Sequence, residues 1–100
     1  MEYAPENVMV KLFEAHRNQC PESKIRYALY DETKSQGHIV LEEGIEIIHF
    51  LNYRGGDAIK FAFARGEQGD EYFFDTYKDA IKYGDMDEDS FEEYVQSITI

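Results

Sequence analysis

Between Lys24 and Tyr30 the chain alternates Ile25, Tyr27 and Leu29 with Arg26 and Ala28, the period-two pattern of a strand with one face buried. A different period precedes it. From Pro5 to about Gln19, Val8 or Met9, Leu12, Phe13 and His16 fall at helical spacing, with Pro5 suited to a first turn and Glu6 near the positive end of the helix dipole. Cys20-Pro21 ends that helix, because the residue before proline is pushed out of helical geometry.

After the first strand, Asp31 to Gly37 is polar and turn-like, which implies a hairpin. His38 to Leu41 and Gly44 to Tyr53 are rich in β-branched and aromatic residues. Glu42-Glu43-Gly44 interrupts them as a turn or bulge, so two strands or one broken strand fit equally. Arg54-Gly55-Gly56-Asp57 carries a Gly-Gly hairpin signal, and beyond it Ile59, Phe61 and Phe63 alternate with Lys60, Ala62 and Ala64.

Gly66 to Asp70 closes that strand, and the period then lengthens to that of a helix. Phe73 or Phe74, Tyr77 and Ala80 or Ile81 share one helical face, Asp75 is a candidate cap, and Gly84 stands where helices commonly stop. From Asp87 to Ser97, Phe91, Tyr94, Val95 and Ile98 form one stripe, acids fill the first turn, and Ser90 and Glu93 have capping-box spacing. The pattern predicts one α+β domain over residues 1–100, with an N-terminal helix, a three- to four-stranded antiparallel sheet and two C-terminal helices.

One hundred residues suit a single core, and seven Phe and eight Tyr supply the apolar volume to fill it. No apolar run approaches the roughly 18 residues that span a bilayer, and Met1-Glu2-Tyr3 lacks the basic and apolar regions of a signal peptide. The expectation is a soluble cytoplasmic protein. The single Cys20 has no second thiol for a disulfide or a cysteine-based metal site.

Charge changes the picture more than composition does. Of 21 acids and 10 bases, residues 1–66 carry ten acids and eight bases, a net of −2. Residues 67–93 carry eleven acids against Lys78 and Lys82, a net of −9. Such a surface repels nucleic acid and anionic lipid and attracts basic protein surfaces. The same stretch holds Tyr72, Phe73, Phe74, Tyr77, Tyr83, Phe91 and Tyr94, and tyrosine is favoured at interfaces because it joins apolar area to a polar tip. Some of these rings belong to the core; Tyr72 and Tyr83 are the ones expected at the surface.

Other chemistry finds less support. Asp85, Asp87 and Asp89 match the first, third and fifth positions of an EF-hand loop, but Ser90 replaces the required Gly and Gln96 the bidentate Glu. His16, His38 and His49 lack the spacing that puts two imidazoles on one helical face, and no nucleophile signature surrounds Cys20. The Gly55-Gly56 pair lacks the following helix and Lys-Ser/Thr of a phosphate loop. No catalytic residue, cofactor or metal is therefore assigned. Partner contact is assigned to Asp75, Asp79, Tyr83, Asp85, Asp87, Glu88, Asp89, Glu92 and Glu93. Carboxylates three or four apart on a helix are about 5–6 Å apart, close to the spacing of phosphates along a nucleic-acid strand, so an acidic helical face suits a Lys/Arg groove built for DNA.

The stretch from Asp87 through Glu88, Asp89, Ser90, Phe91, Glu92, Glu93 and Tyr94 to Gln96-Ser97-Ile98-Thr99-Ile100 resembles the acidic helix and Gln-Ser/Thr-Ile-Thr-aliphatic ending of a phage-encoded type II-A anti-CRISPR protein. That family's protein is also small and acidic, with an N-terminal helix, a three-stranded antiparallel sheet and C-terminal helices. The resemblance implies an inhibitor seated in the PAM-reading groove of a Cas9-type nuclease, in a bacterial host cell, with Asp87, Glu88 and Asp89 as contacts; Glu92 and Glu93 join them from the helix alone. This chain differs in a more compact acidic loop, a longer N-terminal half and no tail after Ile100. The expected function is an acidic, non-enzymatic inhibitor that binds the nucleic-acid groove of a basic nuclease as a DNA mimic. The alternatives are an immunity protein against a nuclease toxin and, in another class, a small metal-binding domain or enzyme using Cys20, the histidines or the Asp85 loop.

Overall fold

A computed structural model describes residues 4–52 and 56–98. The element order is α1 (Pro5–Gln19), β1 (Ile25–Asp31), β2 (Gln36–Leu41), β3 (Glu46–Asn52), β4 (Gly56–Arg65), β5 (Asp70–Phe74), α2 (Tyr77–Gly84) and α3 (Glu88–Ile98). All five strands form one antiparallel sheet in sequence order. The class is α+β as expected, with five strands rather than three or four. No helix among the described residues is long and apolar enough to cross a membrane.

Strand register sorts every strand residue onto one of two faces. Ala28, Ile39, Ile47, Phe61 and Phe74 are cross-strand neighbours in one row, and Tyr30, Gly37, His49 and Ile59 form the next. These rows face the helices. Val8 and Leu12 of α1 are fully buried there, and α1 lies so close to β2 that a Cβ on Gly37 would come within 2.6 Å of Leu12 Cδ1 and 2.7 Å of Val8 Cγ1. Ala80 of α2 and Phe91 of α3 complete the core with Phe61, Phe63 and Phe74. All three helices thus cover one face of the sheet, which makes a two-layer molecule.

Local chemistry sets the turns. In the β1–β2 turn the Asp31 carboxylate accepts the Thr33 and Lys34 N–H groups at 3.0 and 3.3 Å, an Asx-type arrangement. Glu42-Glu43-Gly44 is a turn between two separate strands, with Gly44 at φ +96° and its N–H bonded to the Leu41 carbonyl. Of the predicted turn Arg54-Gly55-Gly56-Asp57, Arg54 and Gly55 lie outside the described residues, while Gly56 and Asp57 begin β4, which pairs with β3 from Glu46↔Ala62 to Asn52↔Gly56.

Tyr72 to Phe74 corrects the sequence reading. These residues form β5, antiparallel to β4, rather than the start of a helix. Thr76, not Asp75, caps α2, its Oγ1 accepting the Asp79 N–H at 3.2 Å. Asp87 likewise caps α3 in place of Ser90, its Oδ2 accepting the Ser90 N–H at 3.1 Å.

Candidate functional site

The acidic residues fall on the outer surface of α2, the α2–α3 loop and α3. Phe91 is buried and Tyr94 and Val95 are half-buried, so Asp89 and Glu93 lie on the opposite side of α3, while Glu88 and Glu92 flank the apolar stripe beside Val95; all four are exposed. Helical periodicity produces that division directly. Asp79, Asp85 and Asp87 are exposed as well. None of these seven carboxylates makes an ion pair among the described residues, where the ion pairs are Lys11–Asp57, His38–Glu46, His49–Asp57 and Lys60–Asp75.

Asp87 has two parts to play in this region. Hydrogen bonds from the Ser90 side chain and then its backbone N–H hold the Asp87 carboxyl below its ordinary value. The capped α3 N-terminus also gathers Glu88 and Asp89 in its first turn, where the helix dipole favours negative charge. Among the described residues, no group of three or more His, Cys, Asp or Glu is arranged to hold a metal ion.

Two of the sequence-assigned residues sit differently from the rest. Asp75 is exposed but paired with Lys60, whose side chain belongs to the opposite side of the sheet from the helices, so Asp75 is drawn away from the acidic face. Tyr83 is half-buried rather than exposed. Its ring stacks on Tyr94 at 4.0 Å and on Phe74 at 5.1 Å. Tyr72 is half-buried too, set edge-on against Phe91 at 5.0 Å. These rings join α2, α3 and β5 beneath the acids and position them; burial, followed by the nearness of Tyr83 and Asp79, pushes the Tyr94 phenol up.

Arg65 was not assigned from sequence, yet it fixes the geometry of the loop. Its Nη1 donates to the carbonyls of Tyr83 and Gly84 at 3.0 and 3.3 Å, and its guanidinium lies 4.2 Å over the Phe91 ring. A cation is well placed at a helix C-terminus and over an aromatic face. One side chain therefore ties the end of α2 to α3. Its position at the end of an alternating strand carried no local signal of this role.

A second polar cluster joins the opposite end of α2 to the rest. The Tyr77 hydroxyl donates to Glu43 Oε2 at 2.5 Å, Ser23 Oγ donates to the same oxygen at 2.8 Å, and the Tyr77 N–H bonds Gln19 Oε1. Burial opposes ionisation of Glu43, but the bonds from Tyr77, its own backbone and Ser23 outweigh it and lower its pKa. Burial and the Glu43 bond raise that of Tyr77. His16 Nε2 donates to the Ser23 carbonyl at 2.7 Å. Cys20, next to this cluster in sequence, is buried, and burial followed by the Glu43 charge pushes its thiol up to about 11. A thiol with that value holds almost no thiolate at neutral pH, so Cys20 sits in the core as a small apolar group.

No family model matches the chain, and neither a curated protein nor a solved structure does.

Proposed function

We propose that the chain is an acidic inhibitor that occupies the basic nucleic-acid groove of a nuclease, acting as a DNA mimic in the PAM-reading groove of a Cas9-type enzyme. The observation that carries the reading is the set of seven exposed carboxylates on α2, α3 and their loop that make no ion pair among the described residues. Surface acids on helices commonly pair with neighbouring lysines or arginines, and here Lys78 and Lys82 leave them unneutralised. The acids are also held on two helices pinned by Arg65, Thr76 and Asp87, so little ordering cost remains to be met on binding.

Arginines that contact PAM bases and lysines that contact phosphates already lie desolvated in a groove. Carboxylates in place of phosphates make the same charge-assisted bonds, and long-range attraction speeds the encounter. The resemblance of residues 87–100 to a type II-A anti-CRISPR protein supports the choice of target; residues 99 and 100 of that stretch lie outside the described residues.

The test is phage plating on a bacterium whose type II-A system restricts that phage. Expression of the wild-type chain is expected to restore plaques, and the triple reversal Asp87→Lys, Glu88→Lys, Asp89→Lys to abolish the effect while the protein stays folded. Restored plating by the triple variant would contradict the assigned face. Unchanged restriction with the wild-type chain across a panel of such systems would contradict the target class.

A further inference from the structure

Among the described residues, no helix packs on the sheet face turned away from α1, α2 and α3. Tyr27, Val40, Glu46, Ala62 and Phe73 are cross-strand neighbours in one row across all five strands, and Leu29, His38, Ile48 and Lys60 form the adjacent row. Tyr27 is 51 % exposed, Leu29 42 % and Phe73 46 %, and the Phe50 and Phe73 rings meet edge to face at 5.6 Å. An antiparallel sheet with one solvated face ordinarily shows polar residues there. This one does not.

Its ionisable groups are partly paired with one another. His38 Nδ1 donates to Glu46 at 2.6 Å, and Lys60 pairs with Asp75. In a chain of net charge −11, this face carries fewer carboxylates than the helix surface; its exposed apolar residues lie on the two edge strands, while Ile48 and Ala62 at its centre are buried, at 4 % and 2 % exposure.

We infer that this face is a dimer interface, packed sheet on sheet against a second copy of the chain. Charge selects that occupant. Stacked sheets lie about 10 Å apart, and a helix layer about 10 Å thick covers each outer side. The two acidic helix surfaces then lie roughly 30 Å apart, well beyond the screening length of about 8–10 Å near physiological salt. Approach through the helices would instead set acids against acids. A basic partner, conversely, is drawn to the helix surface, where the unpaired carboxylates are concentrated.

Area sets the strength. Five strands about 4.8 Å apart and about six residues long at roughly 3.3 Å each give a footprint of about 480 Å² per copy. The pair buries about 1,000 Å², at the lower limit for a specific interface. An interface of that size suits a weak, reversible dimer. Both acidic surfaces stay exposed in it, whatever they bind.

Sedimentation velocity tests this from about 1 to about 500 µM at about 0.15 M salt. The wild-type chain is expected to shift from monomer to dimer over that range, and more readily as salt rises, since the two copies carry like charge. Phe73→Lys and Leu29→Lys, on strands at opposite edges of the sheet, should each weaken association at least about tenfold. Phe73→Ser replaces the lysine variant if that variant loses the native aromatic circular dichroism. A wild-type chain that stays monomeric at about 500 µM overturns the inference. So do variants that associate like wild type. Weakening by Leu29→Lys alone would place association at the β1 edge and overturn the face-to-face arrangement.

Discussion

Asp57 accepts hydrogen bonds from both Lys11 Nζ, at 2.5 Å, and His49 Nε2, at 2.8 Å, and His49 is fully buried. The Lys11 bond, then the His49 bond, hold the Asp57 carboxyl below its ordinary value. A carboxyl whose folded pKa is lowered contributes stability above its unfolded value near about 4 and loses it as pH falls through the folded value. Asp57→Ala should therefore cost about 1–3 kcal/mol at pH near 7, because a buried ring N–H loses its acceptor. The gap between variant and wild type should narrow below pH of about 4. Urea unfolding at both pH values checks this, and a gap of equal size at low pH would contradict the linkage. Little of this was legible beforehand. Lys11 is 46 residues from Asp57, and although His49 lies on the neighbouring strand of the same hairpin, a histidine within a strand pattern gives no sign of which carboxylate it meets.

At the scale of elements, the match between sequence and structure depended on whether one face of each element was polar. Helix α1 was readable from Pro5 to Gln19, because Val8 and Leu12 recur at helical spacing and Cys20-Pro21 follows, although Phe13 of the predicted stripe is exposed, as is Val10. Strand β5 was not, because Tyr72 and Phe74 face the helices while Phe73 lies on the open face. Three aromatics in a row erase the period-two signal, and with Tyr77 and Ala80 they imitate helical spacing. The open face that hid β5 is the same face inferred to pair with a second copy, and Ile47-Ile48 in β3 is another trace of it. Gly37 was read as the end of a turn, whereas it lies in β2 and lets α1 approach the sheet. Gly37→Ala should cost about 1–3 kcal/mol, since the added methyl meets Val8, Leu12 and Met9 and forces α1 outward. Thermal unfolding measures it; a variant as stable as wild type would show that α1 yields freely.

For the whole molecule, the charge distribution was the most legible feature, because exposure of carboxylates follows from the cost of burying them. Which acids share a surface was less so. Asp79, Asp85, Asp87, Glu88, Asp89, Glu92 and Glu93 stay exposed on α2, α3 and their loop, Asp75 is turned aside by Lys60, and Tyr83 lies in the aromatic layer beneath. Arg65, at the end of a strand, fixes that surface through contacts visible only in three dimensions. The two faces of the molecule thus carry different physics. Salt should weaken binding of a basic partner at the helices and strengthen association of like-charged copies through the sheet.

Competition with DNA tests the proposed inhibition most directly. The measurement is displacement of a labelled PAM-containing duplex from guide-loaded type II-A Cas9 enzymes, followed by fluorescence anisotropy over a range of salt. The wild-type chain should displace the duplex with an affinity that falls as salt rises, and the reversal of Asp87, Glu88 and Asp89 to lysine should weaken displacement at least about 100-fold. A duplex that stays bound at saturating wild-type protein, or is displaced equally well by the reversed variant, would contradict a DNA-mimicking acidic face.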